Sequence, residues 1–143
     1  VTTGSDPFPL GRLVYLYIGS HDIRADLAWY DEALGGDLVW RFEAFGADVA
    51  AVRVGPEGSP LVVLASHRPV PSCLPIWAVR SLAVTSEWLH ATGWLDSAVQ
   101  VGVPDGPCLV LHDPSGNQIA LLQRDRPDAM TSAYQDMTNP RRR

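Results

Sequence analysis

The chain has 143 residues, 46% of them hydrophobic and 19% charged, with 11 basic against 16 acidic side chains and a net charge of −5. That size suits one domain, or two small modules sharing a core. The apolar content excludes a disordered chain, no apolar run nears the roughly 18 residues of a membrane span, and the acidic balance argues against nucleic acid. Every basic residue is arginine, which excludes Schiff-base chemistry and a P-loop lysine. Val1–Pro9 has neither a basic start nor an apolar core, so no secretory signal is expected. Cys73 and Cys108 then read as buried thiols of a cytoplasmic protein.

The first predicted strand is Leu13–Ile18. A helix follows, with apolar residues at Ile23, Leu27, Tyr30 and Leu34. Asp22 or Ser20 can cap it and Gly35-Gly36 ends it. Leu38–Glu43 and Asp48–Val54 are strands around a turn at Phe45–Ala47. Gly55-Pro56-Glu57-Gly58 is a turn by composition, and Leu61–Ala65 is an apolar strand. His67–Pro75, with three prolines, reads as a linker. Then the order begins again. Ile76–Val79 is a strand, and Val84, Trp88 and Leu89 mark a helix with Thr85 or Ser86 as its cap and Gly93 as its stop. Ala98–Val101, Cys108–Leu111 and Gln118–Gln123 are strands. The polar stretch from Arg124 onward, with Arg141–Arg143 at its end, reads as a loose tail or a late clamp.

The halves repeat. Pro56-Glu57-Gly58 before Leu61–Leu64 resembles Pro114-Ser115-Gly116 before Ile119–Leu122, at an offset of 58, and Trp29 and Trp88 differ by 59. Such an offset across two kinds of element predicts a duplicated unit. The units are residues 10–66 and 76–124, joined by 67–75, with a tail over 125–143.

Asp113-Pro114-Ser115-Gly116-Asn117-Gln118-Ile119 is the most specific motif. Asp113 can accept from backbone N–H groups ahead of it, Pro114 fixes φ, and Gly116 tolerates a positive φ. The segment resembles the DPxGN signature before the last strand in the vicinal oxygen chelate superfamily. Glyoxalase I, bleomycin-resistance proteins and extradiol dioxygenases belong to that superfamily. Trp29-Tyr30 with Leu34-Gly35, and Val79, Leu82, Leu89 and Gly93, are similar to its strand-to-helix passages. The resemblance covers Leu10–Gln123. It implies an α+β fold of two βαβββ modules whose strands form a cupped, mostly antiparallel sheet.

The resemblance also implies metal ligands: a histidine early in each module's first strand and a glutamate in its last. Carried over, these positions fall on Leu13, Leu74, Val62 and Ala120. All four are apolar and offer no donor to a cation, so no metal or other cofactor is expected. His21, His67, His90 and His112 lack metal-type spacing. Of these, His112 and His67 sit nearest the predicted cup mouth.

Strand alternation from those four positions predicts what lines the cup: Tyr15 and Tyr17, Ile76 and Ala78, Pro60 and Leu64, Gln118 and Leu122. Val14, Leu16 and Ile18 would then pack under the first helix. Trp29 and Trp88 are expected in the core. Trp40, Phe42, Trp77 and Trp94 are candidate platforms for a flat ligand. The candidate ligand-binding set is Tyr15, Tyr17, Trp40, Phe42, Ile76 and Gln118. Arg41, Arg53 and Arg80 could pair with an acidic ligand. Glu43 and His112 are the candidate acid–base residues. No GxSxG, HExxH, GxGxxG or CxxC motif occurs.

Two functions follow as expectations. The first is metal-independent sequestration of a largely apolar or aromatic small molecule, as the bleomycin-resistance branch does, by a homodimer. The alternative is a lyase, isomerase or oxygenase of the same superfamily, with a relocated metal or a metal-free acid–base mechanism.

Overall fold

Local chemistry defines both helices. Helix α1 (Ile23–Leu34) starts where the Asp22 carboxylate accepts from the Ala25 N–H at 3.1 Å and stops at Gly35 in the left-handed region. Helix α2 (Leu82–Thr92) starts at Ser81, whose hydroxyl accepts from the Val84 N–H, and stops at Gly93. Ser81 is thus the cap in place of the expected Thr85 or Ser86. Thr85 is buried inside the helix, its hydroxyl donating to the Ser81 carbonyl.

The computed structural model describes residues 10–44, 46–93, 99–103, 105–126, 129 and 131–132. The expected features at Val1–Pro9, Phe45, Trp94, Ala98 and Arg141–Arg143 lie outside them. The strands are β1 (Leu13–Gly19), β2 (Asp37–Ala44), β3 (Ala47–Arg53), β4 (Leu61–Ala65), β5 (Cys73–Val79), β6 (Val99–Val103), β7 (Gly106–His112) and β8 (Gln118–Gln123). The β5 strand begins at Cys73, three residues before the expected start, because Cys73, Leu74 and Pro75 pair with Ile18, Tyr17 and Leu16.

The fold is α+β. One eight-stranded sheet runs in the order β2-β3-β4-β1-β5-β8-β7-β6. Each module closes its βαβββ path with a parallel pair, β1 with β4 and β5 with β8. The modules meet through the antiparallel β1–β5 pair within one chain.

The two faces of the sheet bury different sets. Ile23, Leu27 and Tyr30 of α1 pack on Ala50, Val52, Val62 and Leu64. Leu82 and Leu89 of α2 pack on Val79, Leu109, Leu111 and Leu121. The concave face holds Tyr15, Trp40, Val49, Ala51, Leu61, Val63, Ala65, Leu74, Cys108, Ala120 and Leu122. Each buried Leu or Val contributes roughly 1.5–3 kcal/mol. Strand β4 is buried along its whole length, because both faces are covered.

Several expectations change here. Trp29 and Trp88 are 54% and 51% exposed rather than core. Each stands one residue, about 100° of helix, before an inward side chain, Tyr30 or Leu89. Cys73 is exposed, whereas Cys108 is buried. Val62 and Leu64 face α1, and the cup-facing residues of β4 are Leu61, Val63 and Ala65. On β1, a register shift between Leu13 and Tyr15 pairs Leu13 with Trp77, which packs behind α2, and turns Val14 toward the cup core.

Candidate functional site

The cup floor is apolar and already filled. Trp40 and Phe42 stand with ring centroids 5.4 Å apart, and Trp40 is only 3% exposed. The Trp40 indole N–H donates to Thr131 Oγ1 at 3.2 Å, so the segment after β8 contributes a side chain to the cup. Ile76 lies beside Tyr15 across the β1–β5 pair and packs against the same core.

Polar chemistry gathers at the two ends of the cup. At one end, the Tyr15 hydroxyl donates to Asp105 Oδ2 at 2.7 Å, and Asp105 is fully buried. Arg124 Nε lies 3.6 Å from the same oxygen. The Arg124 guanidinium carbon sits 6.0 Å from the centre of the Tyr15 ring. Local backbone fixes this arrangement. Asp105 occupies the β6–β7 turn, and its carbonyl accepts from the Arg126 N–H at 2.9 Å. Gly106, at φ +151°, brings β7 so close to β8 that a Cβ would stand 2.0 Å from the Gln123 carbonyl oxygen.

This end opens into a cavity of about 440 Å³ whose polar walls include Arg12, Arg53, Arg124, Tyr15, Glu57 and Thr131. The Arg12 guanidinium donates to the Gly58 carbonyl and so ties the Gly55–Gly58 turn to β1. Three arginines lining one cavity favour an anion, because a guanidinium offers a planar fork of donors to carboxylate or phosphate oxygens.

At the other end, Tyr17 Oη and His67 Nε2 are hydrogen-bonded at 2.7 Å. Arg68 lies 5.3 Å over the Tyr17 ring and donates to Gln118 Oε1 at 3.4 Å. Burial raises the Tyr17 phenol pKa, and the Arg68 charge offsets part of that. His112 pairs with Gln118 across the β7–β8 ladder and is exposed at the rim.

The candidate residues therefore separate. Tyr15 lines the anion-favouring cavity, Tyr17 and Gln118 belong to the opposite end with His112, and Trp40, Phe42 and Ile76 form or border the floor. Glu43 is exposed on the far face, in the β2–β3 ladder opposite Asp48. Arg41 is engaged in a paired contact to Asp48 at 2.7 and 3.1 Å. Arg80 is exposed just before α2. Arg53 does reach the cavity. Sequence reasoning missed Arg12, Arg124 and Asp105. Arg12 and Asp105 lie outside the predicted strands, and Arg124 opens the stretch that reads as a tail.

A divalent metal does not fit the residues present. Leu13 borders the cavity but is apolar, and Val62 faces α1. The cup-facing alternatives, Tyr15, Leu61 and Val63, join Leu74 and Ala120, and four of these five offer no donor. Among the described residues, no group of three or more His, Cys, Asp or Glu could hold an ion.

Known structures share this architecture. The chain matches methylmalonyl-CoA epimerase from Mycobacterium tuberculosis with a TM-score of 0.67 at 18% identity, covering 90% of this chain and 97% of that one. It matches the Streptomyces coelicolor methylmalonyl-CoA epimerase in complex with 2-nitronate-propionyl-CoA with a TM-score of 0.64 at 13% identity, over 82% and 96% of the two chains. The chain has the vicinal oxygen chelate fold. A hypothetical protein from Bacillus halodurans C-125 gives a TM-score of 0.65 at 14% identity, over 80% and 95%. No protein-family model and no curated protein matches the sequence. Within the vicinal oxygen chelate fold, the DPSGN segment has the role its residues suggested. Asp113 accepts from the Ser115 and Asn117 N–H groups at 2.9 and 2.8 Å and from the Asn117 side chain at 3.0 Å. Among the described residues no helix is long and apolar enough to cross a membrane.

Proposed function

We propose that this chain binds a small anionic acyl compound, of the organic-acid or acyl-thioester class, in the Arg12–Arg53–Arg124 cavity. It acts there as a metal-independent isomerase. The observation that carries the reading is the convergence of three arginines on one cavity beside Tyr15 and Asp105. The epimerases of the same fold, one of them bound to a coenzyme A derivative, support the ligand class.

The chemistry would be proton transfer next to a carbonyl. Arg124 supplies positive charge and N–H donors for the oxyanion that forms when that proton leaves, with the Tyr15 hydroxyl bonded to Asp105 beside it. Glu57, which also lines the cavity, is the carboxylate that receives the proton. No cofactor is needed. The test is proton NMR of methylmalonyl-CoA in D2O with EDTA present. The expected result is loss of the α-proton signal with wild type and retained binding without exchange for Glu57→Gln. Failure of wild type to bind the thioester overturns the reading.

A second reading is sequestration without turnover, in the manner of bleomycin-resistance proteins. The partly buried Phe42 and Ile76 at the border of the apolar floor favour it. Binding of an aromatic compound with no exchange of the thioester would select it. In either case the proposal includes a cytoplasmic homodimer. Exposed Val99 and Val101 on edge strand β6, with Trp29 and Trp88, supply the apolar surface for it. Light scattering on the purified protein reads the subunit count.

A further inference from the structure

The sequence resemblance implies a divalent cation in the cup, and among the described residues this cup has no ligand set for one. It has instead a permanent cation built from the chain. Arg124 follows β8 directly, at the parity of cup-facing Ala120 and Leu122. Its guanidinium is bracketed by the Tyr15 ring and the buried Asp105 carboxylate, and it also lines the cavity.

Resting on the anionic-ligand reading above, we infer that Arg124 takes the part of the missing metal. It is the charge that receives the ligand's anionic oxygen, and Asp105 and Tyr15 are positioning residues that aim it. Three physical points carry the inference. An arginine keeps its charge at any working pH, as a metal ion does. A fully buried carboxylate is retained only where it is paired, and here Tyr15 and Arg124 are among the partners of Asp105. Among the described residues, Arg12, Arg53 and Arg124 outnumber Glu57 on the lining and Asp105 behind it, so these side chains leave a net positive charge with no ion added. The same charges would oppose the entry of a second cation.

The test has two arms. In the first, metal-stripped wild type is titrated with Mn2+ and read by electron paramagnetic resonance and elemental analysis. The inference predicts no stoichiometric Mn2+, and about one ion per chain overturns it whatever the ligand result. In the second, methylmalonyl-CoA binding is measured with EDTA present. Arg124→Gln should weaken binding by about 30-fold or more, on the scale of removing one partner of a buried charge pair. Arg124→Lys should recover part of the loss. Arg80→Gln, an exposed position away from the cavity, is the control.

Asp105→Asn should weaken binding several-fold in the wild-type background and not at all in the Arg124→Gln background, because Asp105 acts through Arg124. A merely structural role for Asp105 would give the same loss in both backgrounds, which overturns the positioning claim. If Arg124→Gln binds within twofold of Arg80→Gln, the inference fails while the anionic-ligand reading stands. If wild type takes up neither the thioester nor Mn2+, the ligand reading fails, and the metal arm still supports the exclusion of a metal from this cup.

Discussion

Removing one oxygen atom tests the buried polar end of the cup. Tyr15→Phe deletes the hydroxyl that donates to Asp105 at 2.7 Å, and leaves the ring in place. Asp105 is fully buried, so water cannot easily replace that donor. A hydrogen bond to a charged group is worth about 1.5–3 kcal/mol. The loss should fall in that range in urea unfolding, with a drop in melting temperature of roughly 3–12 °C for a domain of this size. Tyr17→Phe is the internal comparison. Its hydroxyl meets exposed His67, where water can substitute, and the cost should stay below about 1 kcal/mol. Equal costs for the two variants, or a Tyr15→Phe cost under about 0.5 kcal/mol, would refute the claim that Asp105 depends on Tyr15.

Three further outcomes are expected. Burial pushes the Cys108 thiol pKa up to about 11, whereas Cys73 is exposed; a thiol reagent should label one cysteine in the native protein and the second only in denaturant. Hydrogen bonds from the Asn117 side chain and backbone hold the Asp113 carboxyl below the usual carboxylate range. Its stabilisation is therefore present above the unfolded value of about 3.9 and is lost as pH falls through the folded one. The stability gap between wild type and Asp113→Ala should close on that acid side, as followed by unfolding at stepped pH. Gly106→Ala should cost on the order of 3 kcal/mol or more, because its Cβ would collide with the Gln123 carbonyl. Gly102→Ala, with open space around it, should change unfolding by less than about 1 kcal/mol.

The element order was legible because its signals are local. Asp22, Gly35 and Gly93 punctuate the helices as their types predict, and Asp113 to Gly116 makes the turn before β8. Facing was harder, because a strand flips sides with every residue. The turn glycines differ by 58, but the helix caps Asp22 and Ser81 differ by 59. Counting by 58 from Ala120 lands on Val62, which faces α1, while its neighbours Leu61 and Val63 face the cup. The irregularity at Val14 has the same effect on Leu13, and no sequence signal marks it. Composition also misled at the tryptophans, since a large apolar side chain one step off the inner stripe of a helix ends in solvent.

The apolar side chains of the cup face were legible in the sequence, and the charged ones at its end were not. Tyr15 and Ile76 follow from strand alternation, and Trp40 and Phe42 from their aromatic type. Arg124 and Asp105 do not, because each sits in a segment that reads as turn or tail, and only the closure of β6–β7 onto β8 buries the carboxylate beside the arginine.

The most direct test of the central claim is calorimetric titration of metal-stripped protein with methylmalonyl-CoA in EDTA, repeated with Arg53→Gln and Arg12→Gln. The account predicts saturable binding by wild type, weakened about tenfold or more by each substitution as charge-assisted contacts are lost. Binding that appears only when a divalent metal is restored, or that ignores both arginines, would contradict it.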